Sequence, residues 1–199
     1  MTRHVYKKSM RLSYISYVSP LMIHSHDNKA LFLDRDGVIN VENSYVFKIE
    51  DLIFISDVFE VCRYFIKKGY LIIIVTNQSG IARGIFTESQ YDDLTHYLLE
   101  EFKAHGVIIS KVYHCPHHPD QSMSCNCRKP KPGMILKASE EFNIDLNKSI
   151  LVGDKRSDVE SGVRAGIKDN YLITTGHEIP MDDYLVPLIM SLSELKQHY

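Results

Sequence analysis

From Lys29 onward, short apolar runs alternate with stretches whose apolar positions recur every three or four residues. That alternation predicts a mainly parallel sheet wrapped by helices. Residues 30–33 form the first expected strand. Val58, Cys62, Phe65 and Ile66 share one helical face, Gly69 supplies a stop, and residues 70–75 read as a buried β-branched strand. The three pieces make a β-α-β unit. Thr87 and Gln90 have the spacing of a capping box, and Tyr91, Leu94, Leu98 and Phe102 follow at helical intervals until Gly106. Further along, the pattern predicts a strand over 107–113, a helix through Ile135, Ala138 and Phe142, and a strand over 150–153. A helix over 157–165 and a fifth strand over 171–173 complete it. No linker divides this region, so 28–199 is expected to form one domain.

Residues 1–27 break the pattern. Arg3, Lys7, Lys8 and Arg11 face one acid, Asp27, and Ser13, Ser16, Ser19 and Pro20 interrupt the only apolar stretch, which excludes a signal-peptide core. The segment reads as a flexible leader, dispensable for the fold. An organelle transit peptide and an over-long start, with Met22 as the natural first residue, both fit its composition.

Composition narrows the field. A chain of 199 residues, 44% hydrophobic and 24% charged, can bury a proper core, and a formal net charge of -2 argues against a nucleic-acid partner. The longest apolar run is far short of the ~20 residues needed to cross a bilayer, so no membrane partner is expected. Four cysteines are too few for a disulfide scaffold, and three of them lie close together beside histidines, which points to metal and a reducing cytoplasm. A monomer is the expected state.

Ligands of parallel sheets bind beyond the carboxyl ends of the strands, where this chain places its polar clusters. Asp34-Arg35-Asp36-Gly37 follows the first strand, and residues two apart on an extended chain project to one side, so the Asp34 and Asp36 carboxylates are expected to converge. An acidic turn closed by Gly has the same composition. Thr76-Asn77-Gln78-Ser79-Gly80 ends the second strand with hydroxyls, amides and backbone donors suited to phosphate oxygens. Asp154 and Asp158 follow the fourth strand, where a helix cap would also place an acid. Arg128, Lys129 and Lys131 supply cations just before a helix. Cys115, Cys125 and Cys127, with His114, His117 or His118, offer three thiolates and an imidazole, a set that suits tetrahedral zinc.

The order acid pair, Thr, Lys, acid resembles the four motifs of the haloacid-dehalogenase superfamily of aspartyl phosphotransferases, matched here by Asp34/Asp36, Thr76, Lys129 and Asp154. The strings LDRDGVIN, TNQSGIARGIFTE, CPHHP, CNCRKPKPG and VGDKRSD are similar to the D-glycero-D-manno-heptose-1,7-bisphosphate 7-phosphatase family, with histidinol-phosphate phosphatases as close relatives. The resemblance implies a Rossmann-like three-layer α/β sandwich with a zinc-binding loop. Too few residues lie between Gly37 and Tyr70, and between Gly106 and Lys129, for a separate cap domain.

The resemblance also implies roles. Asp34 is the expected nucleophile, forming an aspartyl phosphate, and Asp36 the acid and base, with a pKa raised by neighbouring negative charge. Thr76, Asn77 and Lys129 are expected at the phosphoryl oxygens. The family pattern favours Lys129 over its neighbour Lys131. Mg²⁺ would be held by the carboxylates of Asp34 and Asp154 and the carbonyl of Asp36, with Asp158 supporting the loop. Zinc falls to Cys115, His117, Cys125 and Cys127 as a structural site. A second substrate phosphate needs a cation outside this clamp, for which Arg128 is the candidate and Arg83 a second, though Arg83 fits a solvated loop residue equally well. The expected reaction is Mg²⁺-dependent removal of the 7-phosphate from a small heptose bisphosphate. Histidinol-phosphate hydrolysis is the alternative enzyme reading, and a non-catalytic zinc-stabilised binding module the alternative of another class.

Overall fold

The computed structural model describes residues 28–120, 124–177 and 186–199. The expected leader lies outside these residues. Six strands, β1 (Lys29–Leu33), β2 (Tyr70–Asn77), β3 (Ile109–Cys115), β4 (Ile150–Gly153), β5 (Asp169–Ile173) and β6 (Leu188–Ile189), form one sheet. Their order is β3-β2-β1-β4-β5-β6 and every pairing is parallel. Parallel neighbours need crossovers. Helices α1 (Val58–Lys67), α2 (Glu88–Ala104), α3 (Gly133–Phe142) and α4 (Arg156–Ala165) supply those that link β1 through β5.

β1 is buried on both faces because its side chains alternate between two cores. Leu31 and Leu33 join Phe65 of α1, Leu94, Leu98 and Phe102 of α2, and Leu192 and Leu195 of a C-terminal 3-10 turn (Leu192–Gln197). Ala30 and Phe32 join Ile135 and Ala138 of α3 on the opposite face. The result is the expected three-layer sandwich. Only a loop and a 3-10 turn (Ile49–Asp51) stand between β1 and α1, so no cap domain is inserted there. No described helix is long and apolar enough to cross a membrane.

The capping box at α2 forms as expected: Thr87 Oγ1 accepts from the Gln90 amide at 3.2 Å and Gln90 Oε1 from the Thr87 amide at 2.9 Å. Such a cap stabilises a helix by about 1 kcal/mol. Elsewhere packing shifts the pattern. The buried face of α1 is Val58, Val61, Cys62 and Phe65, whereas Ile66 turns outward and is 36% exposed. Val107 is buried but its amide bonds back to Phe102, so it closes the exit of α2 and β3 starts two residues later, at Ile109. β6 was not foreseen, since two residues are too few to show an alternation.

The chain runs outward from β1 through β2 to β3, then returns to lay β4 on the other side of β1. Loops leaving β1 and β4 therefore diverge and open a crevice at their carboxyl ends. The pairing Leu33↔Val152 sets the register there and brings Asp34 beside the start of the β4 exit loop.

Candidate active site

Asp34 is the first residue past β1, and its amide donates to Val152 O at 3.0 Å, so the ladder itself fixes its position. It is 5% exposed. Its Oδ1 accepts from the Arg35 amide at 2.7 Å and from Lys129 Nζ at 2.9 Å. Burial pushes the Asp34 carboxyl up to about 7, against the pull of Lys129 and with further upward push from Asp158, Asp154 and Asp36.

Lys129 arrives from the loop before α3 and is 3% exposed. Besides Asp34, its ammonium donates to Asp158 Oδ1 at 2.8 Å and to Val75 O at 2.7 Å, so all three of its protons are taken. Burial works against its charge, but Asp158 and Asp34 outweigh it and hold the Lys129 pKa above the ordinary lysine value. The Asn77 side chain pins this loop to β2: its amide donates to Lys129 O and accepts from Lys129 N, each at 3.1 Å. Of the two lysines the sequence left in competition, Lys129 enters the crevice, whereas Lys131 is turned to the thiol loop and donates to Cys125 O at 2.6 Å.

Asp36 is held by a different set of side chains from Asp34. Arg35 Nε and Nη2 grip its Oδ1 at 3.1 and 2.9 Å, Asn40 Nδ2 adds 3.0 Å, and Gln78 Nε2 donates to its Oδ2 at 3.0 Å. The same Gln78 nitrogen reaches Thr76 Oγ1 at 2.9 Å, tying the buried Thr76 to Asp36. Burial alone would raise the Asp36 pKa, but the Arg35 charge and the bonds from Asn40, Arg35 and Gln78 override it and hold the carboxyl below its usual range. This corrects the expected upward shift: a cation one residue away dominates the more distant acids.

Asp154 is 1% exposed and lies between two backbones. A Cβ at Gly37, which sits at φ +84°, or at Gly176 would collide with its carboxylate. Carboxylate oxygens of Asp34, Asp154 and Asp158 all lie within 4.8 Å of one another. Asp34, Asp154 and Asp158 outnumber the two lysines that act on them, Lys129 and Lys155, and Asp154 Oδ1 is buried with no hydrogen-bond partner. Hard oxygen donors, surplus charge and an unsatisfied oxygen together fit Mg²⁺. Asp158 also accepts from the Lys155 amide at 2.9 Å, holding the first turn of α4.

A cavity of about 520 Å³ lies beside these groups, lined by Asp36, Asn77, Gln78, Arg128, Lys129 and Lys155 among others. Arg128 faces it while donating to His117 O at 3.0 Å. Arg83 pairs instead with His118 Nε2 at 2.6 Å and is not among the lining residues. Signals for Arg35 and Gln78 were present, since both lie inside the motif strings. Neither has a polar periodicity of its own to mark it.

Beside the crevice, Cys115 at the end of β3, His117, Cys125 and Cys127 bring one donor each within 4.8 Å of the others. Sγ of Cys115 lies 3.0 Å from Cys127 and 3.7 Å from Cys125, and His117 Nδ1 lies 3.4 and 3.3 Å from Cys115 and Cys127. A zinc tetrahedron with ~2.3 Å bonds has edges of roughly 3.7 Å, so the donors fit it after slight expansion. All four cysteines of the chain are free thiols. His114 points away, paired with Glu88 and packed on Tyr91, and His118 lies outside the cluster. Cys62 is buried in the core, as expected.

Comparisons with known proteins agree with this geometry. A family model described as "HAD-hyrolase-like" matches residues 126–184. D-glycero-alpha-D-manno-heptose-1,7-bisphosphate 7-phosphatase of Campylobacter jejuni is 53% identical over 139 residues, covering 70% of this chain and 78% of that protein. The D-glycero-beta-D-manno-heptose-1,7-bisphosphate 7-phosphatase of Yersinia pestis is 44% identical over 155 residues, covering 75% and 82%. D,D-heptose 1,7-bisphosphate phosphatase from B. bronchiseptica, crystallised with magnesium and phosphate, superimposes with a TM-score of 0.75 at 26% identity, covering 86% of this chain and 99% of that one. With its sheet, its acid-lysine crevice and these relatives in agreement, the chain belongs to the heptose-bisphosphate phosphatase family of haloacid-dehalogenase-like hydrolases.

Proposed function

We propose that this enzyme removes the 7-phosphate from D-glycero-D-manno-heptose 1,7-bisphosphate, supplying a step in nucleotide-activated heptose biosynthesis. The observation that carries the reading is the buried Asp34–Lys129 pair at the end of β1, which adjoins Asp154 and Asp158 beside a cavity faced by Arg128.

In this reading an Asp34 oxygen attacks phosphorus, the phosphorus–oxygen bond to the sugar breaks, and the leaving oxygen takes a proton from Asp36. Asp36 starts ionised under Arg35. Entry of a phosphate dianion adds the negative charge that lets Asp36 take up that proton from solvent before the site closes on the substrate. Once ionised again, Asp36 accepts a proton from a water that attacks the aspartyl phosphate, and phosphate leaves. Thr76 and main-chain donors beside Asn77 bind the phosphoryl oxygens, and Lys129 turns to them the proton it gives Asp34 in the free enzyme once the Asp34 oxygen bonds phosphorus. Mg²⁺ would be held by the carboxylates of Asp34 and Asp154 with the Asp36 carbonyl, and would supply the positive charge that allows two anions to approach.

Arg128 meets the second phosphate, which histidinol phosphate lacks. Arg83, held by His118, is left without a substrate role. Zinc at Cys115, His117, Cys125 and Cys127 holds the loop that presents Arg128 and takes no part in the reaction, because protein donors fill its shell. Unpaired thiols favour a reducing compartment, and in this reading the enzyme works in the cytoplasm, as a monomer.

Phosphate release with Mg²⁺ tests the reading, over both anomers of the heptose bisphosphate, histidinol phosphate and simple sugar monophosphates. The bisphosphate should exceed the others in kcat/KM by about 100-fold or more, the scale expected for a charged contact. Faster turnover of histidinol phosphate would transfer the assignment to that substrate.

A further inference from the structure

Asp154 is restrained on every side but one. Gly37 and Gly176 crowd its carboxylate from the backbone, and Thr175 Oγ1 donates to Gly37 O at 2.6 Å, which ties the turn after β5 to the loop after β1. That turn carries His177 to Asp154, where the imidazole Nδ1 donates to Oδ2 at 2.6 Å. The two oxygens of this carboxylate are thus unequal. Oδ2 is satisfied by His177, whereas Oδ1 is buried with no partner, in a group whose acids lie within 4.8 Å of one another. An ionised oxygen left bare in a buried site is costly unless a cation completes it.

We infer that His177 is a positioning residue for the divalent cation, acting through Asp154. The inference rests on the Mg²⁺ reading of the Asp34–Asp154 site. Close packing against the two glycines limits rotation of the carboxylate about its Cβ–Cγ bond, and a single strong hydrogen bond at Oδ2 fixes which oxygen faces His177. Oδ1 is then presented in one orientation beside Asp34, and the cation does not have to order it on binding. The Glu42 carboxylate also lies within 4.8 Å of both Asp154 and His177. His177 is not itself among the residues lining the cavity, and its side chain is 44% exposed, so replacing it leaves the core intact.

Calorimetric titration of Mg²⁺ into the full chain, in metal-poor buffer without chelator, tests this on wild type, His177→Ala and His177→Gln. Loss of an outer hydrogen bond to a metal ligand weakens affinity by about 10–100-fold, and His177→Ala should raise the Mg²⁺ Kd by at least about tenfold. His177→Gln keeps an N–H donor and should recover most of that loss. At saturating Mg²⁺ the kcat of both variants should stay within about threefold of wild type, because no reacting group is removed. Unchanged affinity in His177→Ala would overturn the inference, as would loss of a whole binding equivalent, which would make His177 a ligand in its own right. A metal-free melting temperature lowered by more than about 5 °C would assign it a purely structural role. Absence of Mg²⁺ binding in the wild type would remove the underlying reading together with the inference.

Discussion

Lys129 Nζ lies 2.9 Å from Asp34 Oδ1, and both side chains are almost fully buried, at 2% and 7% exposure. Because Lys129 also holds Asp158, it neutralises two acids that would otherwise face each other in a dry site. Removing one partner of such a pair leaves an uncompensated buried charge. Lys129→Met is therefore expected to lower the unfolding free energy by about 3–5 kcal/mol. Urea unfolding followed by circular dichroism reads this directly. Mg²⁺ should restore part of the loss, since it brings the missing positive charge.

Asp34→Asn preserves volume but removes the attacking oxygen. Turnover should fall by more than about 10³-fold, while the far-ultraviolet spectrum is unchanged. A variant retaining a tenth of the activity in a phosphate-release assay would exclude Asp34 as nucleophile.

Arg128 faces the cavity from the thiol loop, so Arg128→Ala should act on the second phosphate alone. The expected outcome is a KM for the bisphosphate raised by about tenfold or more, with kcat on a small monophosphate nearly unchanged. Equal losses on both substrates in steady-state kinetics would place Arg128 elsewhere in the reaction.

Protein purified without chelator should contain about one zinc per chain by elemental analysis, since the four donors already stand near tetrahedral edges. Removing it should lower the melting temperature, because the loop loses the bond that orders it. Zinc-free protein with an unchanged melt would make the thiol cluster a packing feature only.

Burial pushes the Cys62 thiol up to about 12. Only the thiolate reacts with alkylating agents, so at pH 8 the reactive fraction of Cys62 is on the order of 10⁻⁴. Iodoacetamide labelling with mass spectrometry should leave Cys62 unmodified in the folded chain and modify it in denaturant. Stripping zinc should expose Cys125 and Cys127 while Cys62 stays protected.

Much of this protein is written in local patterns. The apolar runs of β1, β2 and β4 follow from their composition, the α2 start from Thr87 and Gln90, and the positions of Asp34, Thr76, Lys129 and Asp154 from their places after strands. Each is a relation among residues a few positions apart, which the backbone geometry of a strand or helix turns directly into structure. Other decisions join residues far apart in the chain. That Lys129 and not Lys131 meets Asp34, and that Arg83 turns to His118, depends on how loops from β1, β2 and β3 settle against one another. The low pKa of Asp36 arises where Gln78 of the β2 exit loop meets the loop after β1, and the orientation of Asp154 where His177 returns from β5. Such contacts have no period and no spacing rule. They exist only once the parallel sheet has brought the carboxyl ends of its strands together, where charge and burial act across the gap between them.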